Sequence, residues 1–288
     1  MPRRKQAQNG SPTVAARLLA NELRQLRTRA GLSQADVARE LGCTPGRVGH
    51  METRRNQPRR SDLLVMLQMY KVPAERQVWY LDLAAKAKEK GWWDGAEGIP
   101  EWFTTLIGLE WGASQIRTYE LGLVPGLLQT ADYMAALFEV DSPGEDELIA
   151  KFIEHRMRRQ DPLHRTQNPL SLHAILDQAV INRVVREPGT MRGQLEHLLA
   201  MSDHPHVTVQ ILPFEAGPHP GFGGGFHCID FAEADDSGVI YLETRCGGLY
   251  LEEETEVAEY HSVFERLATM ALTPSQTKEM LEGLRKDM

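Results

Sequence analysis

Apolar residues in the first ninety positions recur at three- and four-residue intervals, the spacing of helices that bury one face. Leu19, Leu23, Leu26 and Ala30 mark a first helix, closed by Gly31. Ser33 is placed to cap a second, with Asp36 at its third position, Val37, Ala38 and Leu41 inward and Gly42 as a stop. A third starts at the N-cap Thr44 with Pro45 in the first helical position, where a missing N–H costs nothing, and turns Val48 and Met51 inward. Ser61, Leu63, Leu64, Leu67 and Tyr70 predict a fourth helix and residues 74–90 a fifth. The glycines and proline of "KGWWDGAEGIPEWF" then break the pattern. Helix is predicted again over 106–117, followed by the extended piece "YELGLVPGLLQT", a helix capped near Thr130 and another over 145–160. Past residue 169 the period shortens to two. "LSLHAIL", "VTVQILPF", "FHCIDF", "VIYLET" and "LYLEE" read as five strands, with a helix over 191–201 between the first two. Glycine-rich turns between the later strands point to antiparallel hairpins. The end is helical, with Val257, Tyr260, Phe264, Leu267 and Ala271 on one stripe that is read as core, and "TPSQ" as a capping box.

The predicted fold class is therefore α+β: an all-α N-terminal bundle followed by a larger α+β domain with a mainly antiparallel sheet of about five strands. The expected divisions are an arm over 1–16, a helical domain over 17–90, a connector over 91–105 and the larger domain over 106–288. At 288 residues, 42% hydrophobic and 25% charged, the chain is long enough for one to three globular domains. Apolar runs such as "LLVML" fall far short of the ~20 residues that cross a bilayer. With no secretory core at the N-terminus, a cytoplasmic, nucleoid-associated protein without membrane contact is expected. Cys43, Cys228 and Cys246 have no CxxC spacing and are expected as free buried thiols.

Charge sharpens the picture. Residues 1–60 hold thirteen Lys or Arg against four acids, a balance of +9 that leaves −17 of the net −8 for the remainder. A basic head suits DNA, whose phosphates are neutralised by cations with release of counterions. Two short helices joined by a tight turn in a cationic bundle describe a helix-turn-helix, whose second helix is narrow enough to enter the major groove. Direct readout there rests on Thr44, Arg47 and His50, because Pro45 and Gly46 carry no side-chain hydrogen-bonding group. Interior Gly46 and Gly49 each cost roughly 0.8–1 kcal/mol of helix stability and are read as letting the backbone approach groove or phosphate closely. Arg54 and Arg55 are expected on phosphates. The arm residues Arg3, Arg4 and Lys5 are read either as lying along the DNA or as a solubilising tail.

The stretch "RQLRTRAGLSQADVARELGCTPGRVGHMETRRNQP" (24–58) resembles the XRE family of Cro and phage-repressor-like regulators. The resemblance implies that Gln34 touches phosphate or base, that Arg27 and Glu52 form an ion pair orienting the reading helix, that Arg54 and Arg55 replace a glycine-containing turn, and that the protein works as a homodimer on double-stranded DNA. Further on, "LEWGASQIRTYELGLVPGLLQTADYMAAL", "ILDQAVINRVV", "QLEHLLAMSDHPHVTVQILPFEAGPHPGFGGGF", "VIYLET" and "GGLYLEE" resemble the C-terminal domain found behind such modules in actinobacterial regulators of the WhiJ-like, Scr antitoxin-like type. That implies a transcription regulator whose acidic domain senses a ligand or binds a small protein encoded by a neighbouring gene. The alternative is an antitoxin-like protein that sequesters such a partner and regulates its own operon. Gln178 departs from that pattern, which has an acid there more often.

The larger domain carries His204, His206, His219, His227 and Cys228 within 25 residues. Their spacing matches no closed metal motif, and they are read as strand start, loop and strand residues. "GFGGG" follows no strand and opens no helix, and nothing like a GxSxG elbow occurs. No catalytic residue, metal or cofactor is expected. The loop 216–225, with Phe222 at its centre, is read either as a flap for a ligand or partner or as an ordinary long hairpin loop.

Overall fold

The computed structural model describes residues 10–96, 99–141, 146–185, 187–233 and 236–288. Arg3, Arg4 and Lys5 of the basic arm lie outside the described residues. The described chain forms two compact units, one reaching to Asp94 and the other running from Gly95 to Met288. Among the described residues no helix is long and apolar enough to cross a membrane.

The first unit holds α1 (Pro12–Arg29), α2 (Gln34–Glu40), α3 (Pro45–Glu52), α4 (Arg60–Met69) and α5 (Ala74–Lys86). Its helix ends are written in the sequence. Ser33 and Asp36 form the full capping box of α2, and Thr44 Oγ1 caps α3 by accepting from the Arg47 N–H at 3.4 Å. Gly31 and Gly42 take φ of 70° and 62°, left-handed conformations that end a helix without the clash a Cβ would bring. Leu23, Val37, Val48, Met51, Leu63, Met66, Leu67 and Tyr80 close the core, each essentially inaccessible.

In the second unit α6 (Glu101–Gly112) leads into β1 (Gln115–Glu120). There follow α7 (Ala131–Asp141), α8 (Asp146–Arg158), β2 (Ser171–Asp177), α9 (Gln178–Asn182), α10 (Pro188–Ser202), β3 (Val207–Leu212), β4 (Phe226–Asp230), β5 (Val239–Thr244), β6 (Gly247–Leu251), α11 (Glu254–Met270) and α12 (Pro274–Asp287). The strands form one sheet in the order β3-β2-β1-β4-β5-β6. β1, β2 and β3 run parallel, and β4, β5 and β6 continue antiparallel from β1.

Two expectations are corrected here. The sheet has six strands and is mixed, because the helical segments α7–α8 and α9–α10 are crossovers long enough to return the chain for parallel pairing, while only the later strands are joined by short links. The added strand is β1, which spans the end of the helix expected over 106–117 and the start of the extended piece after it: Ile116, Thr118 and Tyr119, β-branched and aromatic, favour the strand, and α6 stops at Gly112. Cys246 is also exposed, in the tight β5–β6 turn. The three cysteines are free, Cys228 is buried and Cys43 is half-buried.

The two faces of the sheet differ in chemistry. On one, Tyr119, Ile175, Phe226, Cys228 and Ile240 pack against Val257, Phe264 and Leu267 of α11, so that stripe is core as expected. Burial pushes the Cys228 thiol up to about 12, which leaves it a protonated, inert hydrophobe. On the other, the strand register aligns Thr118, His227, Tyr241 and Tyr250 in a row across four strands.

Candidate nucleic-acid interface

Glu52, at the last position of α3, organises the first unit. Its side chain is 2% exposed. Arg27, from α1, donates to both its oxygens at 2.6 and 2.9 Å and to the Leu32 carbonyl at 2.9 Å. The Glu52 bonds hold the Arg27 pKa above its ordinary value. Gln34, at the start of α2, donates to Glu52 Oε2 at 2.9 Å. One carboxylate thus ties α1, α2 and α3 together and sets the angle at which α3 is presented. The ion pair implied by the family resemblance is present in this geometry, and Gln34 is joined to it, a connection the sequence did not disclose.

That connection accounts for one of the two glycines. A Cβ at Gly49 would meet the Gln34 amide at 3.3–3.4 Å, tighter than ordinary contact, so the absence of a side chain there lets the Gln34 side chain lie against α3. A Cβ at Gly46 would meet nothing within 4 Å, leaving that position open on the outer face. Thr44, Pro45, Gly46 and His50 are exposed around it.

Arg47 stands among them but is occupied: its Nη2 donates to Asp62 Oδ2, in the first turn of α4, at 2.6 Å. The pair is partly exposed, at 33% and 18%. Asp62 was not anticipated; an acid in the first turn of a helix ordinarily reads as a dipole partner. Arg54 takes φ of 66°, the left-handed conformation that glycine adopts freely, so the arginine occupies the very backbone position for which the family resemblance implies a glycine. Arg55 is exposed beside it.

In the second unit, Glu120 at the carboxyl end of β1 accepts from Thr118 Oγ1 at 2.9 Å and lies 3.6 Å from His227 Nε2. Arg159, just beyond α8, donates through Nε and Nη2 to Glu110 of α6, the second bond at 2.6 Å. Burial alone would lower the Arg159 pKa, but the Glu110 charge and bonds outweigh it and hold it above the ordinary value. Arg156 is pushed down to about 10 by burial and by Arg159, and its guanidinium lies 4.9 Å from the Phe138 ring. Burial drives the Glu120 carboxyl up to about 8 and the His227 imidazole down to about 3. Both are therefore uncharged near pH 7. Apart from His227, read there only as one of five scattered His and Cys residues, none of these was singled out from the sequence, although a Thr and a Glu two apart on one strand face, and a His within the apolar run "FHCID", carry the signal of a polar row inside a sheet.

The histidine group of the sequence falls at separate places. His204 and His206 precede the start of β3, with the His204 ring 5.7 Å from that of His164. His219 stacks near Phe222 at 4.2 Å, and His227 and Cys228 point to opposite faces of β4. Phe222 is 69% exposed. The loop that carries it connects β3 to β4 across two intervening strands, so it is not a hairpin, and it is pinned at buried Gly221, where any Cβ would overlap the Tyr119 ring. Gln178, the departure noted above, accepts from the Phe214 N–H at 2.9 Å.

Fold and site together define a helix-turn-helix protein with a mixed-sheet domain behind its DNA-binding head. Residues 18–79 match the family model described as a helix-turn-helix domain. Residues 103–283 match the model described as a domain of unknown function (DUF5753), and the chain belongs to that family. No curated protein and no solved structure matches the chain.

Proposed function

We propose that the protein is a dimeric, sequence-specific DNA-binding transcription regulator of the XRE type, whose C-terminal domain senses a ligand or binds a small protein partner. The observation that carries this is the Glu52 hub. A buried carboxylate binding both α1 and α2 to the end of α3 fixes a short helix whose outward residues, Thr44, Arg47, His50 and the following Arg54 and Arg55, are hydrogen-bonding or cationic. In this reading Arg47 exchanges Asp62 for a base edge on binding.

Selection of bound DNA from a random pool tests the proposal directly. Arg47→Ala is expected to lose roughly 1–3 kcal/mol on the selected site and to relax one base position. Arg55→Ala is expected to weaken all sequences alike and lower the salt slope by about one. Asp62→Asn, which frees Arg47 and removes a charge that repels phosphate, is expected to tighten binding by under about 1 kcal/mol, the worth of a partly exposed pair. A purified protein that binds the selected site no better than bulk competitor DNA overturns the proposal.

A second reading, an antitoxin-like protein whose main partner is another small protein, is favoured by the exposed rings of Phe214 and Phe222 on the pinned β3–β4 loop. Co-purification with the product of a neighbouring gene, lost in Phe222→Ser, is the result expected from it.

A further inference from the structure

We propose that the cleft at the carboxyl end of β1 binds a small organic amine as its ammonium ion, with Glu120 as the counter-ion. This rests on the reading of the C-terminal domain as a sensor and supplies the class of molecule sensed.

Glu120 and His227 are enclosed by the sheet and the helices over it, yet keep 19% and 13% of their side-chain surface accessible. The position of that accessible surface is fixed by the strand register: Glu120 ends β1, and exposed Glu243 stands at the same end of β5, on the same face, with only β4 between. This is also where the order of the strands reverses, the usual place for a ligand in a sheet with parallel strands. Glu120 uses one oxygen, Oε1, toward Thr118 and His227, while among the described residues Oε2 has no hydrogen bond. Gly225 lies beside Oε2 and is required by the backbone, since a Cβ there would come within 2.9 Å of the Tyr119 carbonyl, while reaching only ordinary contact, 3.7 Å, with Oε2.

The charge of the cleft selects the ligand. Among the described residues no Lys or Arg lies within ion-pair distance of Glu120, and the nearby guanidinium of Arg159 is committed to Glu110. His227 is neutral, and at Glu120 the negative charge of Glu243 acts more strongly than the positive charge of Arg159. The other charged or titratable groups about this end of the sheet are the hydroxyls of Tyr133 on α7 and Tyr241 on β5, both held protonated by burial, together with Arg183, which acts on Tyr133, and Arg156, which acts on Glu243 and Tyr241. Among the described residues none of these cations pairs with Glu120, so its ionised form lacks a counter-ion. The His227 ring, which keeps part of its surface accessible, adjoins Glu120 and can carry the organic part of an amine, with the fully buried Tyr241 ring 5.5 Å from it.

Titration calorimetry on the full chain with benzylamine, and with the isosteric benzyl alcohol and benzoate as probes of charge, tests the proposal. Because Glu120 is protonated before binding and ionised after it, benzylamine is expected to release about one proton at pH 7, seen by comparing buffers of different ionisation enthalpy. Its affinity should rise roughly tenfold per pH unit up to about pH 8. Glu120→Gln, which mimics the protonated acid in shape, is expected to weaken benzylamine at least about tenfold and abolish proton release. Folding of that variant is checked independently: a raised carboxyl pKa costs the wild type stability as pH rises from about 4.5 through 8, so Glu120→Gln should be at least as stable at pH 8. No benzylamine binding at millimolar concentration, equal or tighter binding of benzyl alcohol or benzoate, absence of proton release in the wild type, or unchanged binding in Glu120→Gln overturns the amine site.

Affinity for the selected DNA, measured with and without benzylamine, separates this from the sensor reading. Glu120-dependent amine binding that leaves DNA affinity unchanged keeps the site and removes its role in sensing. DNA affinity that responds to a protein partner while benzylamine does not bind removes the site alone.

Discussion

Replacing Glu52 by alanine is expected to destabilise the N-terminal unit by about 3 kcal/mol and to erase its discrimination between DNA sequences. The cost is not the loss of a favourable ion pair as such, since the attraction within a buried pair is largely offset by its desolvation. It arises because the substitution leaves Arg27, 14% exposed, with its charge largely withdrawn from water and, of its present hydrogen-bond partners, only the Leu32 carbonyl to receive it. The Gln34 amide loses its acceptor in the same step. With α2 and α3 no longer tied to α1 through one carboxylate, the angle of the reading helix loosens, and binding should fall toward the sequence-independent affinity that phosphate contacts alone provide. Glu52→Gln, which keeps an acceptor oxygen but no charge, should lie between. Denaturant unfolding with competition binding on selected and bulk DNA measures both effects. A stability loss under about 1 kcal/mol with specificity intact would mean that Glu52 behaves as a surface residue.

Legibility in the sequence followed the range of the interactions. Helix caps are local, and Ser33 with Asp36, Thr44 with Pro45, and Thr273 with Gln276 could all be read before any tertiary contact was known. The Arg27–Glu52 pair is long-range and was reached only through the family resemblance. What Gln34 and Arg47 touch was not legible, because Gly49, which admits Gln34, and Asp62, which holds Arg47, look from the sequence like a weak helix position and an ordinary first-turn acid. β1 was hidden because it is a short run that follows α6 directly, and its pairing with β2 depends on a crossover rather than a turn signal. The polar row of Thr118, His227, Tyr241 and Tyr250 is assembled from four strands. Its members become neighbours only once the register is fixed, and a single polar residue in an apolar strand gives no warning of the others.

Glu110→Ala is expected to cost the C-terminal unit more than any change on its surface, about 3–5 kcal/mol. Glu110 is 1% exposed and Arg159 6%, so neither charge has water to fall back on. Removing the acid leaves Arg159 between the Phe103 ring, 4.9 Å away, and Arg156, a like charge whose own pKa Arg159 already lowers. A guanidinium does not shed its proton to escape, so the loss should stay nearly constant from about pH 6 to 9, unlike the pH-dependent contribution of Glu120. Gly126 makes room for the guanidinium where it stands, since a Cβ there would lie 3.0 Å from Arg159 Nη1. Removing both charges together, as in Glu110→Leu with Arg159→Met, should recover most of the loss, since apolar residues of similar volume replace a buried pair at little or no cost. Denaturant unfolding of the two single variants and the double variant gives the coupling energy directly. Additive losses in that cycle would mean that the two side chains are held by their surroundings and not by each other.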